Sequence, residues 1–333
     1  MRKYVAQQGM TLIELMVSMV IGLFLILGAV TVYTQGRQNY QINEGISRLQ
    51  ENLRFSLNVI EPDVRLSGYW GLNNRGQFVD TSAVAVICDG NDVSAWALDL
   101  GTAIEAVDNV QAADAGEVSN DCSAFGGGVV VDTDILILRH ASGAGNVPLD
   151  NGTIQLQASV LDAVLFDDGN EPAVYSAFDP SEVVTHNLVI NAWYISQDSN
   201  SMDGVPSLRR RTLVGDEMID EEVIAGVENM QIQFGIDTDL VAGGTIGDGS
   251  VDRYVDAEDP LLIGNNILSM RIWMLIRSPE EERGFTEGRA GNWNGYIPLD
   301  SVLDPIVPDD SFRRMQASKT IFLRNFQRIQ LGS

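Results

Sequence analysis

The chain has 333 residues, 45% of them hydrophobic, with 46 acidic and 21 basic side chains and a formal net charge of −25. That length and apolar content are enough to build a core, which excludes a disordered protein. The negative charge excludes nucleic acid as a partner, because proteins need Lys and Arg to replace the counterions of a phosphate backbone.

The first predicted element is a membrane-spanning helix. The 22 residues from Leu15 to Gly36 carry no charge, and at ~1.5 Å per residue they would reach about 33 Å as a helix. That length spans a hydrocarbon core of about 30 Å. Arg2 and Lys3 form a basic leader before this run, and Glu14 stands at its start.

Three kinds of N-terminal segment fit parts of this pattern. A cleaved secretory signal explains the basic leader, but the apolar run exceeds the usual ~7–15 residues and no small-residue cleavage site closes it. A plain signal anchor explains everything except Glu14 and Gly9. A carboxylate costs about 2.5–3.5 kcal/mol at the centre of a span and less near the interface, so such groups usually have a partner. Cleavage between Gly9 and Met10 would supply one, since the new amino group of a neighbouring copy can neutralise Glu14.

The stretch "GMTLIE" from Gly9 to Glu14, after a basic leader, resembles the type IV prepilin signature. The resemblance implies that a membrane-embedded prepilin peptidase cuts after Gly9 and N-methylates Met10, leaving Glu14 as the fifth residue of the mature chain. Met10 stands where that family most often has Phe; the position stays large and apolar, so we expect processing to proceed. Loss of the leader would change the net charge to −27, from 46 acidic and 19 basic residues.

The helix is predicted to continue beyond the membrane, because the first proline of the chain is Pro62. After Gly36 an apolar stripe recurs at steps of three and four residues, at Ile42, Ile46, Leu49, Leu53, Leu57 and Ile60. The predicted organisation is a leader at 1–9, a membrane or filament-core half of the helix at 10–36, an amphipathic half at 37–61 and an extracytoplasmic, mostly β head at 62–333.

Beyond Pro62 the sequence predicts short strands separated by turns rich in Gly, Asn and Asp. The predicted strands cover 83–88, 134–139, 153–157, 188–198, 206–214, 230–236, 270–277 and 319–325. Those at 188–198 and 206–214 should form a hairpin, and the alternation at 230–236 is typical of a half-buried strand. A long helix followed by segregated antiparallel strands predicts an α+β fold, in which the helix is a spine packed on a β-sheet head.

Four segments in the second half carry a further resemblance: "IAGVENMQIQFGIDTD" (224–239), "GDGSVDRYVDA" (247–257), "ILSMRIWMLIRS" (267–278) and "FLRN" (322–325). They resemble PilW-like minor pilins and the related J-type pseudopilins of type II secretion, which have a pilin-like fold. The resemblance implies a low-abundance subunit that joins other minor pilins and the major pilin at the pilus tip, primes assembly and can present a large adhesin. It implies a location in the inner membrane, with the head in the periplasm, before assembly into the pilus.

Cys88 and Cys122 are the only cysteines. If the head is exported, the simplest interpretation is a disulfide, which the chain-entropy model values at roughly 3–4 kcal/mol. Two unpaired thiols in a reducing compartment are the alternative. The segment between them, rich in Ala, Gly and Asp, is predicted to be a long irregular loop.

One candidate metal site is present, formed by Asp237, Asp239, Asp248 and Asp252. Calcium binds carboxylate oxygens in flexible loops. Eight residues separate Asp239 from Asp248 and interrupt what would be a compact calcium loop, so an acidic turn is the favoured interpretation. No other cofactor is expected.

Catalysis is not expected either. His140 and His186 lie in no catalytic motif.

Arg209, Arg210 and Arg211 are consecutive, which indicates either a surface for an acidic partner or protection of an exposed edge strand. A pilus tip subunit is the leading hypothesis, ahead of a secretion pseudopilin and a singly anchored periplasmic enzyme or binding protein.

Overall fold

The structure is a computed structural model, and it describes residues 10–73, 75–119, 121–174, 183–241, 245–263, 265–282, 285–286, 295–299 and 303–325. The chain divides into two compact units, Met1–Gln50 and Glu51–Ser333. A single helix, α1 (Leu12–Leu66), has residues in both. The predicted leader, residues 1–9, lies outside the described residues.

The first unit consists of the N-terminal part of α1. Its large apolar side chains from Met10 to Tyr33 are between 48% and 75% exposed. The helix is long and apolar enough to cross a membrane, and none of its most apolar window is buried. An apolar surface of this extent is unusual in a protein surrounded by water alone. The segment therefore requires lipid or other apolar helices around it.

The second unit begins with the C-terminal turns of α1. Leu53, Leu57 and Ile60 are buried, as the apolar stripe predicts, and Val64 extends that stripe. The helix does not end before Pro62 but continues to Leu66. Pro62 removes one helical hydrogen bond. Complete burial of Ile60 and Val64 on either side of it holds this turn in the helical conformation.

The regular secondary structure of the remaining second unit is mostly β-strand. It also contains the short helix α2 (Ser94–Ala97) and 3-10 turns at Gly76–Phe78 and Pro260–Leu262. The strands are β1 (Ile87–Cys88), β2 (Asn91–Asp92), β3 (Ile104–Val107), β4 (Glu117–Ser119), β5 (Cys122–Ser123), β6 (Ile135–Ala141), β7 (Asn151–Ala158), β8 (Ala163–Asp168), β9 (Val184–Ser196), β10 (Ser207–Val214), β11 (Glu217–Ala225), β12 (Val227–Asp237), β13 (Leu240–Val241), β14 (Thr245–Ile246), β15 (Arg253–Asp256), β16 (Asn266–Arg277) and β17 (Arg314–Phe322).

Two larger sheets contain thirteen of these strands, and β4 with β5 and β13 with β14 form separate two-stranded sheets among the described residues. The larger has nine strands among the described residues, in the order β2-β1-β11-β10-β9-β6-β3, with β7 beside β9 and β8 beside β7. Its one parallel pair is β1 with β11. The second sheet, β15-β12-β16-β17, is antiparallel throughout. Asp134 connects the two sheets, because its carboxylate accepts a hydrogen bond of 2.6 Å from the Ile232 amide. The predicted α+β class is confirmed.

Several predicted strands are confirmed. The hairpin forms between β9 and β10, with Leu208 opposite Ile195. The strands predicted at 134–139, 153–157 and 270–277 correspond to β6, β7 and β16, and the last predicted strand overlaps β17. Most residues of β16 are buried by contacts with other parts of the fold.

Two strand predictions are wrong in part. The strand predicted at 83–88 is formed only at Ile87–Cys88, because the Val86 amide donates to the Ser94 hydroxyl instead of to a neighbouring strand. Strand β12 is buried on both faces and not half-buried. Its Gln231 is accommodated because the side-chain amide donates to the Asp132 carbonyl at 2.9 Å.

The segment between the cysteines is also more regular than predicted. It contains α2 and β3, and β3 pairs with β6 as an edge strand of the larger sheet. The segment packs on that sheet through buried apolar residues, among them Trp96, Leu100 and Val118. Its high Ala, Gly and Asp content indicates turns, but it does not reveal these contacts with distant strands.

Candidate functional site

The N-terminus of α1 is closed by a reciprocal cap. Thr11 precedes the first helical residue, and its hydroxyl oxygen accepts a hydrogen bond from the Glu14 amide at 3.3 Å. The Glu14 carboxylate accepts bonds in return from the Thr11 amide at 2.9 Å and the Thr11 hydroxyl at 3.0 Å. This is the capping box of a Thr-x-x-Glu sequence, which satisfies helix N–H groups that have no partner within the helix.

The capping box defines the surroundings of the predicted assembly residue. Glu14 is exposed, and the apolar side chains around it, including Leu12, Ile13 and Leu15, are exposed as well. Both hydrogen bonds to the Glu14 carboxylate come from Thr11 of its own chain, and no other described residue bonds to this carboxylate. Met10 is 70% exposed. Gly9 lies outside the described residues, so the cleavage site stays a prediction.

The C-terminal turns of α1 are fastened to both sheets. Asp63 accepts a hydrogen bond of 2.6 Å from the Asn191 side chain on β9. On the other sheet, Lys319 of β17 donates to the Asn58 side chain at 2.6 Å and forms a close ion pair with Glu61. The hydrogen bond from Lys319 lowers the pKa of Glu61 below its usual value. This part of the helix and the head therefore form one packed body.

Cys88 and Cys122 form a disulfide in the structure, with their Cα atoms 5.3 Å apart. Both residues are fully buried. Arg211 also links the two turns that contain the cysteines. One of its guanidinium nitrogens donates hydrogen bonds to Asp89 at 3.0 Å and to the Ser123 carbonyl at 2.7 Å. Each of these acceptors follows one of the two cysteines, so Arg211 holds both turns together.

The three consecutive arginines belong to an interior strand, so both sequence interpretations of them are wrong. Strand β10 lies between β9 and β11. The acidic residues opposite the arginines in the register are Glu222, Glu221 and Asp220. Arg209, which is 2% exposed, bonds to Asp220 and Glu222. The arginines are therefore neutralised within their own hairpin and are not a surface for a partner.

Asp220 also accepts a short hydrogen bond from the Tyr194 hydroxyl. Burial, followed by the negative charge of Asp220, raises the pKa of Tyr194 above its usual value. Tyr194 thus remains a neutral donor, and this buried network is structural.

The four aspartates of the candidate metal site lie around one turn, but their oxygens do not converge. Gly249 donates its amide to the buried Asp237 at 2.8 Å, and the Thr238 amide donates to Asp252 at 2.7 Å. Within the described residues, the one group of acidic, His or Cys side chains with ligand atoms inside 4.8 Å is Cys88, Asp89 and Cys122, whose sulfurs are bonded to each other. Calcium binding stays a hypothesis, and a higher melting temperature in Ca²⁺ than in chelator would support it.

Asp239→Asn is expected to raise the melting temperature near neutral pH. The negative charge of Asp252, with burial and the charges of Asp248 and Asp237, raises the pKa of Asp239. A carboxyl with a raised folded-state pKa destabilises the fold where it is ionised, and the penalty disappears once the group is protonated in both states. The gain should therefore vanish on acidification below the usual carboxyl pKa, and shrink in high salt. Thermal denaturation across pH and salt measures both.

Asp248→Asn is the matched control. Hydrogen bonds from the Ser250 hydroxyl and amide lower the pKa of Asp248, so its removal should reduce the melting temperature. A lower melting temperature for Asp239→Asn, as for Asp248→Asn, would contradict mutual repulsion as the cause.

No catalytic constellation appears among the described residues. His140 and His186 are buried, with Nδ1 at 2.8 Å from the carbonyls of Ala141 and Ser142 respectively. An open cavity of about 380 Å³ lies between the sheets, beside Leu275 and Ile306. Its charged residues Glu228, Asp310 and Arg314 pair with one another. Each of these side chains has at least one structural partner, and the Nε2 atoms of both histidines are buried without a hydrogen bond among the described residues.

Comparisons with known proteins found two family models that match parts of this chain and a similar solved structure. Residues 192–325 match the family "Type IV Pilus-assembly protein W", and residues 5–30 match the prokaryotic N-terminal methylation motif. A solved structure, the type IV-like pilin TTHA1219 from Thermus thermophilus, matches with 13% identity and a TM-score of 0.37, over 84% of this chain and 99% of that chain. A search of curated proteins found no match.

Proposed function

We propose that the chain is a non-enzymatic minor pilin that a prepilin peptidase processes after Gly9. The resemblance to PilW-like minor pilins, expected from the sequence and confirmed by the matches over residues 192–325 and 5–30, supports this proposal. In this proposal it joins other minor pilins in a complex at the pilus tip that primes assembly, and the major pilin extends the filament from that complex. The observation that carries the proposal is a carboxylate, Glu14, at the start of an exposed apolar helix behind a methylation motif.

Each part of α1 has a role in this proposal. Residues 10–36 hold the chain in the inner membrane and later pack among the helices of other subunits. Residues 37–61 carry the head, which the contacts of Asp63 and Lys319 fasten to the helix. Removal of residues 1–9 creates an amino group at Met10, which pairs with Glu14 of a neighbouring subunit in the low-dielectric helical core, where such attraction is strongest.

A pseudopilin of type II secretion is the second candidate, because it would share every N-terminal feature. The match to a pilus-assembly family over residues 192–325 favours the pilus. A singly anchored periplasmic binding protein is the third, and it predicts no cut after Gly9. Co-purification of the mature chain with pilus or secretion subunits separates the first two.

Glu14→Ala is expected to leave peptidase cleavage intact and to reduce the amount of the chain in sheared filaments by about tenfold or more. The free-energy cost of losing a charge pair in an apolar bundle exceeds about 1.4 kcal/mol, and a difference of that size changes an equilibrium constant about tenfold. Immunoblots of sheared filaments and membranes measure the partition.

Glu44→Ala is the matched control, since Glu44 lies on the same helix but pairs only with exposed Arg48. It should be incorporated like the wild type. Wild-type incorporation of Glu14→Ala would contradict the pairing proposed for Glu14.

A further inference from the structure

Strand β17 presents one uncharged, exposed face. It is the edge strand of the second sheet. Its alternate residues Gln316, Ser318, Thr320 and Phe322 are exposed, and Phe322 is 64% exposed. The residues between them, such as Lys319 and Ile321, point to the other face, where Lys319 contacts α1 and Ile321 is buried. The exposed residues of this face, from Gln316 to Phe322, therefore carry no charge in a chain with a net charge of −25, and the buried Arg314 at the start of the strand is paired with Glu228 and Asp310.

Arg271 lies beside this face. It is the cross-strand partner of Thr320 on β16. Its guanidinium carbon is 3.5 Å from the centroid of the Tyr254 ring. Stacking on an aromatic ring stabilises a guanidinium and fixes its plane while leaving its N–H groups available.

Arg271 differs from the other arginines on the same face of the second sheet. Arg277 reaches Glu228 at 3.4 Å, and Arg314 bonds to both Glu228 and Asp310. Across the part of the chain that the structure describes, no carboxylate lies within ion-pair distance of Arg271. The acid on the neighbouring strand, Asp256, accepts a hydrogen bond of 2.8 Å from Gln233. A preorganised arginine without an acidic partner is unusual in a chain with 46 acidic residues.

We propose that the exposed face of β17, together with Arg271 and Tyr254, docks an acidic patch of a neighbouring pilus subunit, with a partner carboxylate bound by Arg271. The proposal rests on the proposed function, since it requires that the chain assembles with other subunits. Arg, Tyr and Phe are the residues expected to contribute most at an interface. The stacked guanidinium loses little freedom on binding, which favours association. An acidic partner is repelled by most of this strongly negative molecule, so the charge distribution directs it to this face.

Arg271→Glu tests the proposal in the full chain expressed with the other pilus subunits. Like charges placed opposite each other at an interface are strongly unfavourable, so we expect about a tenfold or larger drop in filament content. Arg253→Glu is the matched control: Arg253 is exposed on β15, and it precedes Tyr254, so its side chain points to the opposite face. It should be incorporated like the wild type, and N-terminal processing should be complete in both variants.

Thr320→Glu and Thr320→Lys keep the test decisive if Arg271→Glu fails to fold. Thr320 is exposed, so both variants should fold, with only small shifts in melting temperature of opposite sign, because Thr320 lies opposite Arg271 in the register. Glu should reduce incorporation and Lys should preserve it. Equal incorporation of both Thr320 variants, with the wild type present in filaments, would overturn the docking surface and leave the proposed function standing. Absence of the wild type from filaments would overturn the proposed function itself.

Discussion

Gly9→Val is expected to leave residues 1–9 on the chain and to exclude it from filaments. The peptidase proposed here must bring its catalytic groups next to the carbonyl of Gly9, and a residue without a Cβ permits that approach. Retention of the leader also prevents formation of the amino group at Met10, so Glu14 would enter an apolar bundle without a partner. We expect no mature chain by intact-mass spectrometry of the membrane fraction.

Gly22→Ala is the matched control for Gly9→Val, because it adds a side chain to a glycine of the same segment. A Cβ at Gly22 meets no atom within 4 Å, and the position is remote from the cleavage site. Its cleavage should match the wild type. Efficient removal of residues 1–9 from Gly9→Val would contradict the assignment of the processing site.

Arg209→Ala is expected to destabilise the head by about 3–5 kcal/mol, the usual cost of breaking a buried ion pair by removing one partner. Asp220 and Glu222 are 12% and 17% exposed, so their charges would be left largely desolvated. The substitution also removes the guanidinium that lies 3.6 Å from the centroid of the Phe125 ring. Chemical denaturation of the full chain in detergent, followed by tryptophan fluorescence, measures the loss.

Arg210→Ala controls for the loss of a positive charge on the same strand. Arg210 points to the other face and pairs with Glu221 at 2.7 Å, where the two side chains are 29% and 46% exposed. Exposed pairs of this kind contribute about 0–1 kcal/mol. Equal destabilisation by Arg209→Ala and Arg210→Ala would contradict the structural role assigned to the buried network.

The parts of the fold that the sequence predicts correctly depend on local patterns. The apolar stripe at Leu53, Leu57 and Ile60 follows the period of a helix, and the hairpin of β9 and β10 is marked by its turn residues. Both signals come from residues close together in the chain. Pro62 misleads at the helix end, because the burial of Val64 that continues the helix is a tertiary contact.

The errors arise where distant segments cover a strand. Gln231 and Gln233 make β12 look half-buried, but the Asp132 carbonyl lies over Gln231 and the Leu299 carbonyl over Gln233. No periodicity within β12 contains that information. The same limitation explains why the region between Cys88 and Cys122 was predicted to be irregular.

Two signals were present in the sequence and were not used. Arg209 to Arg211 are followed by Asp220, Glu221 and Glu222, which is the charge pattern of a hairpin that neutralises itself across its strands. Thr11 and Glu14 match the capping-box spacing directly before an apolar run. The charge pattern predicts that β10 pairs with the strand that carries Asp220, Glu221 and Glu222. The capping-box spacing predicts that Glu14 caps the N-terminus of its own helix.

Mass spectrometry of the wild-type chain from sheared pili decides whether this chain is a processed subunit of a filament. We expect a chain that begins at an N-methylated Met10 and is present in small amounts beside the major pilin. Deletion of the peptidase should leave the full-length chain in the inner membrane. A chain that retains residues 1–9 in cells with an active peptidase, or that is absent from sheared pili, would show that it is not such a subunit.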